Sequence, residues 1–331
     1  MCLGTLTFGH QADEATAFDI LDAGVEGGIT FFDSADVYPS LAPPEFAGAS
    51  ETILGRWLAD RGGRDRFVIA TKVYNRTGPG PNDLGLGRKH LIAACEASLR
   101  RLQTDYLDLY QTHAFDTTVP LEETLRALDD LVTAGKVRYI GTSNHKAWQL
   151  ADANWTSQLH GLATYASVQH RYNILYRAIE DEVVPACASL GVAILPWNPL
   201  AGGLLTSAYA NRRIADGNRF DLPGGRGEMY RQRYWNEATL DEVDRILEVV
   251  TRHGHSLTHV ALQWVANRPG VTSLLISAET QNQVRDTIAA LAVTLSDEEQ
   301  AACDEAWFNM PRARDLGVPT TQALNRAAPS R

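Results

Sequence analysis

Short apolar runs, rich in β-branched and aromatic residues, alternate with amphipathic stretches along the whole sequence. Eight of these runs predict strands, at 2–8, 29–32, 67–71, 106–111, 137–141, 165–168, 192–196 and 272–276. The intervening stretches have helical spacing of apolar positions and predict helices at 13–26, 50–60, 88–102, 121–134, 146–155, 179–190, 257–267 and 281–291. Such alternation is typical of parallel strands joined by right-handed helical crossovers. The strand runs are almost continuously apolar, which indicates a sheet covered on both faces.

Eight β/α units could close into a barrel or remain an open, doubly wound sheet. An open dinucleotide-binding sheet would place a G-x-G-x-x-G motif after its first strand. The first predicted strand instead ends in Thr7-Phe8-Gly9-His10-Gln11, and the later Gly202-Gly203 pair lacks the required spacing. The sequence therefore predicts an α/β fold, a closed (β/α)8 TIM barrel forming a single domain over residues 1–331. The active face of such a barrel lies at the C-terminal ends of its strands.

Three segments stand apart from the repeating pattern. Residues 207–238 predict a long loop after the seventh strand, followed by an extra helix at 239–253, and a further C-terminal helix is predicted at 296–307. A long loop within a compact domain is often functional, for example as a lid.

The loop at 39–48 adjoins Tyr38 and is expected to shape a substrate pocket. Gly27 and Gly28 are expected to supply the left-handed residue between the first helix and the second strand.

Composition narrows the possible partners. The 331 residues carry a formal net charge of −10, which argues against nucleic acid or an anionic membrane as the main partner. Four scattered cysteines, without a C-x-x-C pair, fit a reducing compartment. The sequence opens on Met1-Cys2-Leu3-Gly4, with no recognisable signal peptide, and has no apolar run of membrane-spanning length. We therefore expect a cytoplasmic protein with a small-molecule substrate; a homo-oligomer is compatible with the sequence.

Polar residues follow the ends of three neighbouring predicted strands. Asp33 ends the second strand, Lys72 the third and His113 the fourth, while Tyr38 lies in the loop after Asp33. A tyrosine phenol has a pKa of about 10, but a neighbouring ammonium group makes it a better acid. Asp33 can hold such a lysine charged and oriented, and His113 offers a second donor. Each group alone is more often structural, but four complementary groups on one rim predict proton delivery to a carbonyl oxygen.

The same residues carry a family resemblance. The sequence resembles an aldo-keto reductase over about residues 3–291, closest to the branch of bacterial reductases and potassium-channel β subunits. The resemblance is carried by ITFFDSADVY at 29–38, ATK at 70–72, LQTDYLDLYQTH at 102–113, GKVRYIGTSN at 135–144 and PWNPLAGGL at 196–204. It implies a catalytic tetrad of Asp33, Tyr38, Lys72 and His113. The implied activity is NAD(P)H-dependent reduction of an aldehyde or ketone to an alcohol, with Tyr38 as the proton donor.

The resemblance also implies where a nicotinamide cofactor would bind. Trp197 would stack on the nicotinamide ring, Ser143, Asn144 and Gln169 would hold its carboxamide, and Thr5 and Phe8 would lie near the ring. The stretch with Asn198, Leu200, Gly202 and Leu204 would line the pyrophosphate. Near the eighth strand, the implied positions are Ser277, Glu279, Gln283 and Thr287.

The sequence departs from the family at the eighth strand. Glu279 stands where relatives often have a residue that receives the adenosine 2′-phosphate, and an inward carboxylate there would repel that group. Thr287 also stands where Asn is usual. The family favours NADPH, with NADH as the alternative, and Arg212, Arg213 or another arginine of the long loop could supply the positive charge.

Two other functions remain open at this point. One is a redox-sensing regulatory subunit with slow reductase activity. The other is reduction of a nucleotide sugar or secondary-metabolite intermediate, because the loop residues Arg226, Tyr230, Arg233, Tyr234 and Trp235 are compatible with a bulky or anionic substrate. The spacing of His253, His255 and His259 fits no standard metal motif, so no metal site is predicted.

Overall fold

A computed structural model describes residues 1–39, 44–209, 211–214, 216–223 and 225–311. Its eight strands are β1 Cys2–Gly4, β2 Phe31–Asp33, β3 Val68–Val73, β4 Leu107–Thr112, β5 Val137–Ser143, β6 Tyr165–Arg171, β7 Ala193–Trp197 and β8 Leu275–Ser277. All neighbouring strands are parallel, in the order β7-β6-β5-β4-β3-β2-β1-β8. A parallel bridge between Ile194 and Val271 joins β7 to the segment before β8. The predicted (β/α)8 barrel is confirmed.

The helices alternate with these strands as expected. They are α1 Glu14–Glu26, α2 Ala49–Arg61, α3 Arg88–Leu102, α4 Leu121–Thr133, α5 Ala147–His160, α6 Val183–Leu190, α7 Arg226–Tyr234, α8 Glu237–Arg252, α9 Leu257–Ala266, α10 Gln281–Ala289 and α11 Asp297–Asn309. The first strand was predicted too long: it ends at Gly4, after which the chain turns, with Phe8 N–H bonded to the Thr5 carbonyl at 3.1 Å. No helix in the described ranges is long and apolar enough to cross a membrane.

Helix boundaries follow their capping residues. The Ser256 hydroxyl accepts the His259 backbone N–H at 3.1 Å and begins α9. The expectation that this glycine pair supplies the left-handed residue is confirmed, because Gly28 has a φ of +85°, whereas Gly27 has a φ of −83°. Gly28 is thus the residue that reverses the chain between α1 and the approach to β2.

The interior of the barrel has an apolar layer beneath a polar one. Ala70, Leu109 and Leu195 pack together with Phe31 on one side. Leu109 lies on β4 and Leu195 on β7, so their contact crosses the barrel rather than following its wall. Residues two positions further along their strands share the same inward face, nearer the C-terminal ends. That upper layer is polar and holds the site described below.

The segment 207–238 was predicted to be a long loop. That prediction was incomplete, because the segment contains helix α7. Its aromatic residues form a cluster: the Phe220 ring lies 5.1 Å from that of Tyr209 and 5.2 Å from that of Trp235. Phe220 is fully buried, and Tyr230 packs against it at 5.8 Å. These contacts give the segment a small core of its own, which explains why so polar a sequence folds against the barrel.

Candidate active site

An ion pair inside the barrel is the centre of the candidate site. The Lys72 ammonium on β3 contacts the Asp33 carboxylate at the end of β2, and both side chains are buried. Lys72 also donates to the Ser34 carbonyl at 2.8 Å. Burial alone would lower the pKa of Lys72, but the Asp33 carboxylate and then Tyr38 outweigh it and raise that pKa. Lys72 is therefore held as a cation at neutral pH.

Two amides complete the surroundings of Asp33. Gln111 on β4 donates to Asp33 Oδ1 at 2.8 Å, and Gln169 on β6 donates to the same oxygen at 3.0 Å. Gln169 also donates to the Gln111 carbonyl oxygen at 3.3 Å. The sequence reading assigned Gln169 to the cofactor and missed Gln111. Its role depends on the strand register, in which Gln111 is paired with Lys72 and lies two residues after the inward Leu109.

Tyr38 lies beside this ion pair. Its hydroxyl is 3.5 Å from Lys72 Nζ, which is itself 4.9 Å from the centroid of the phenol ring. Burial raises the pKa of Tyr38, and the Lys72 charge opposes that rise. The phenol is thus protonated at neutral pH and next to a cation that favours its ionised form.

His113 stands on the other side of Tyr38. The two rings are 5.8 Å apart between centroids, in an edge-to-face arrangement at 73°. Burial, and then the Lys72 charge, hold the pKa of His113 well below its usual range, so its imidazole is neutral at pH 7. Asn75 donates its amide to His113 Nδ1 at 2.9 Å, which leaves the ring proton on Nε2. Sequence reasoning missed Asn75, for which no pattern in the sequence gave a signal.

The residues assigned to the nicotinamide form a connected network. Trp197 Nε1 donates to Asn144 Oδ1 at 3.2 Å, and Asn144 Nδ2 donates to the His113 carbonyl at 3.2 Å. Asn144 also donates to the Ser143 hydroxyl at 2.9 Å, and that hydroxyl donates to the Gln169 carbonyl at 3.0 Å. Asn144 adopts a left-handed φ of +60°, which an asparagine tolerates better than most residues. These side chains thus lie together on the His113 side of the barrel mouth.

A tight turn follows Trp197. The Asn198 side chain accepts the Gly202 backbone N–H at 2.6 Å, and Gly202 and Gly203 have φ values of +75° and +100°. A β-carbon on Gly202 would lie 2.8 Å from the Tyr230 ring, so glycine is required there by both φ and space. Leu200 is partly buried and Leu204 fully buried against the core. The turn can therefore present only backbone groups closely to a ligand.

The remaining cofactor assignments fall around β1 and β8. Thr5 and Phe8 are both fully buried, with the Thr5 hydroxyl accepting from Ser50 at 2.6 Å. Ser277, Glu279 and Gln283 are exposed, and Thr287 is buried on α10. Glu279 accepts from the Gln11 amide at 2.9 Å, while its backbone N–H donates to Gln283 at 2.7 Å.

Several charged residues singled out from the sequence are engaged elsewhere. Arg212 forms ion pairs with Glu237, Asp241 and Asp244, at 3.0, 2.6 and 2.5 Å. The histidines considered above as a metal site each contact a different carboxylate. His253 contacts Glu298, His255 contacts Glu299 and His259 contacts Asp286. In the loop after Tyr38, positions 40–43 lie outside the described residues.

Comparisons with known proteins agree with this architecture. The sequence model of the Aldo/keto reductase family matches residues 1–307. The chain is 37% identical over 305 residues to the "Uncharacterized oxidoreductase YrpG" of Bacillus subtilis (strain 168), covering 90% of this chain and 89% of that protein. It is 34% identical over 290 residues to the "Probable voltage-gated potassium channel subunit beta" of Oryza sativa subsp. japonica, covering 87% and 85%. It is 35% identical over 317 residues to the "Norsolorinic acid reductase stcV" of Emericella nidulans, covering 90% and 76%. The chain belongs to the aldo/keto reductase family.

Proposed function

We propose that the protein is an NAD(P)H-dependent reductase that converts an aldehyde or ketone to an alcohol. The observation that carries this proposal is the position of the Lys72 ammonium, buried between the Asp33 carboxylate and the Tyr38 hydroxyl. Such a cation stabilises the phenolate that remains after Tyr38 gives up its proton. The name of the fungal relative, a norsolorinic acid reductase, supports the same reaction class.

Each member of the tetrad has a role in the proposed reaction. Tyr38 donates its proton to the carbonyl oxygen as that oxygen becomes an alkoxide. Lys72 offsets the negative charge left on Tyr38, and Asp33 keeps Lys72 charged and in place. Neutral His113, with its proton on Nε2, donates a hydrogen bond that orients the carbonyl. His113 cannot replace Tyr38 as the main acid, since an imidazole N–H of this kind does not ionise near neutral pH.

The residues around Trp197 support a nicotinamide cofactor. Trp197, Asn144 and Ser143 would hold the nicotinamide, and the turn at Gly202 and Gly203 would approach the pyrophosphate with backbone groups only. When bound, this cofactor supplies the hydride. The protein's contribution is to bind it, to orient the substrate and to deliver the proton.

We propose NADPH as the preferred cofactor, with NADH as the alternative. Glu279 is fixed by Gln11 and would disfavour a 2′-phosphate. Arg212 already has three carboxylate partners. Arg219 is the better source of positive charge, because it is only partly buried and Tyr230, then Glu279 and Tyr38, raise its pKa against the effect of burial.

The experiment that tests the reaction is Tyr38→Phe. We expect kcat for aldehyde reduction to fall by at least about 100-fold, the usual contribution of a positioned general acid, while the cofactor Kd stays within threefold of wild type. Tyr139→Phe is the matched control, because Tyr139 is 65% exposed on the outside of β5. Wild-type turnover by the Tyr38→Phe variant would refute the proposed proton donor.

The cofactor choice has its own measurement. Titration of NADPH and NADH against protein fluorescence should give a lower Kd for NADPH. A tenfold lower Kd for NADH, about 1.4 kcal/mol, would reverse this choice and leave the proposed reaction standing.

A further inference from the structure

One face of α7 lies against the mouth of the barrel. Tyr230, Arg233 and Tyr234 are spaced i, i+3 and i+4, so they share that face. The Tyr234 hydroxyl accepts from the side-chain amides of Asn173 and Asn198, both at 3.1 Å. Tyr230 packs against Gly202 with no room for a β-carbon between them. Helix α7 is therefore fixed over the turn that follows Trp197.

This packing places the Arg233 guanidinium at the candidate site. Its Cζ lies 5.9 Å from the centroid of the Trp197 ring. Trp197 is hydrogen-bonded to Asn144, which in turn donates to the His113 carbonyl. On the same helix, Tyr230 is close enough to Tyr38 for its charge to affect the Tyr38 pKa. Arg233 thus lies at the edge of the space into which a substrate carbonyl would enter.

Arg233 has no anionic partner within the described ranges. Its Nε is buried and makes no hydrogen bond there. The pKa of Arg233 is lowered by burial and then by the charge of Arg171, against the opposing effects of Tyr234, Tyr230 and Tyr176. A half-buried cation that is close enough to a second cation to feel its charge is costly unless something compensates for it.

Other arginines of the same segment are compensated. Arg212 has three carboxylates, and Arg231 is paired with Glu228 at 3.0 Å. Arg219 donates to the Tyr230 hydroxyl at 3.3 Å and is influenced by Glu279. Arg233 therefore differs from its neighbours in both location and pairing. Arg233 is thus a cation next to Trp197 that has no carboxylate partner in the described ranges.

We infer that Arg233 determines substrate specificity by binding an anionic group, foremost a carboxylate, on the carbonyl substrate. This inference rests on the proposed reductase function and adds the substrate class. A guanidinium recognises a carboxylate through paired N–H donors, so it would fix the orientation of the substrate as well as attract it. A substrate of this class has its carbonyl at Tyr38 and His113 and its carboxylate at Arg233.

The test compares two aldehydes of nearly the same shape, 4-carboxybenzaldehyde and its methyl ester. Wild type should have the higher kcat/KM for the acid. In Arg233→Met, the ratio of kcat/KM for acid over ester should fall by roughly 10–100-fold, the range expected for loss of a charged hydrogen-bonded pair. The loss should appear mainly in KM for the acid. Arg233→Lys keeps the charge without the paired donors and should retain part of the preference.

Arg100→Met is the matched control, because it removes the same charge from an exposed position on α3. It should leave the acid-to-ester ratio within twofold of wild type. The cofactor Kd is measured for every variant by fluorescence, and the unfolding midpoint of each confirms that it is folded. If Arg233→Met is unfolded, Arg233→Lys alone tests the inference, which then requires that its acid-to-ester ratio of kcat/KM be lower than that of wild type.

Two results would overturn the inference while leaving the proposed function intact. One is an acid-to-ester ratio that is unchanged in both Arg233 variants. The other is a tenfold rise in cofactor Kd with equal losses for the two aldehydes, which would assign the anion to the cofactor phosphates. If wild type reduces neither aldehyde nor any member of a wider carbonyl panel, the proposed function itself fails, and this inference fails with it.

Discussion

The side-chain amide of Gln111 crosses from β4 to donate a 2.8 Å hydrogen bond to the Asp33 carboxylate on β2. The two strands are not neighbours, since β3 lies between them. The bond therefore spans the interior of the barrel and fixes the carboxylate that holds Lys72. A buried carboxylate shared by an ammonium and two amides is stable only when these donors are in place.

Replacement of Gln111 by Leu should destabilise the protein by about 1–3 kcal/mol, because it removes a donor from a buried charge and leaves a similar volume. The free energy of unfolding in urea measures this effect. The control is Gln158→Leu on the exposed face of α5, which should stay within about 0.5 kcal/mol of wild type. A Gln111→Leu variant as stable as the control would show that the bond contributes little.

The pH dependence of reduction should report the coupling between Lys72 and Tyr38. Tyr38 must be protonated to act as an acid, so activity is present below its folded-state pKa and is lost as pH rises through it. Burial raises the pKa of Tyr38 and Lys72 lowers it. In Lys72→Met, the alkaline loss of kcat should therefore move to higher pH, while kcat at neutral pH falls about 100-fold or more.

Lys89→Met, at an exposed position on α3, is the control for that profile. The ionisation of His113 should cause no change in kcat near pH 7, because the pKa of His113 lies well below its usual range. An alkaline limb that moves to lower pH in Lys72→Met would contradict the assigned role of Lys72.

Asp36 is a second buried carboxyl near the site, and its charge is not compensated. It is 1% exposed, and neither oxygen has a hydrogen-bond partner of standard geometry in the described chain. Burial and then Glu51 raise the pKa of Asp36 well above its usual value, despite opposing effects of Arg101, the Val37 N–H and Lys72. The folded protein therefore binds this proton more tightly than the unfolded chain does.

The consequence for stability has a definite sign. Below a pH of about 3.9, the pKa of Asp36 in the unfolded chain, the carboxyl is protonated in both states and its burial costs no ionisation energy. As the pH rises from there through the folded-state pKa of Asp36, the folded protein loses stability. Asp36→Asn should therefore be more stable than wild type by about 1–3 kcal/mol at pH 8, with a smaller difference at pH 5. Urea unfolding at both pH values tests this, with exposed Asp152→Asn as the control. Equal stability of wild type and Asp36→Asn at pH 8 would contradict it.

Removal of the Tyr234 hydroxyl should loosen α7. Tyr234→Phe leaves the buried amide of Asn173 and the partly buried amide of Asn198 without a shared acceptor, at a cost of about 1–3 kcal/mol. Amide exchange across α7 should become faster than in wild type, whereas exchange in α3 should not change. Hydrogen exchange with peptide-level readout measures both, and Tyr139→Phe is the control. Unchanged exchange in α7 would show that the aromatic cluster alone holds this helix.

Much of the fold could be predicted because most units carry a clear period. Helix α3 begins and ends at residues 88 and 102, as predicted from its apolar spacing. Helix α7 was missed because its sequence, RGEMYRQRY, lacks the apolar stripe on which such predictions depend. The buried face of α7 consists of Tyr230 and Tyr234, which contact residues outside the helix. Only the tertiary structure therefore identifies this helix.

Some residues of the candidate site could be predicted from the sequence and others could not. Asp33, Lys72 and His113 follow strand ends one unit apart, so the barrel alone brings them to one rim. Gln111 and Asn75 could not be chosen from type or spacing, because their roles depend on register and on a loop path. Arg233 was one of several candidate arginines, and its position beside Trp197, with a buried Nε that makes no hydrogen bond in the described chain, distinguishes it.

The bridge between Ile194 and Val271 has a mechanical consequence for the mouth of the barrel. Every other pair of neighbouring strands shares a ladder of two or more residues, whereas in the described chain β7 meets the segment before β8 at this one bridge. In the described chain the junction between β7 and the segment before β8 is thus the least hydrogen-bonded part of the wall, whereas β3 and β4, which carry Lys72 and Gln111, pair over four residues. A junction with so few hydrogen bonds costs little to open, so the edge of the barrel mouth between β7 and β8 can adjust to ligands of different size more readily than the wall around Lys72.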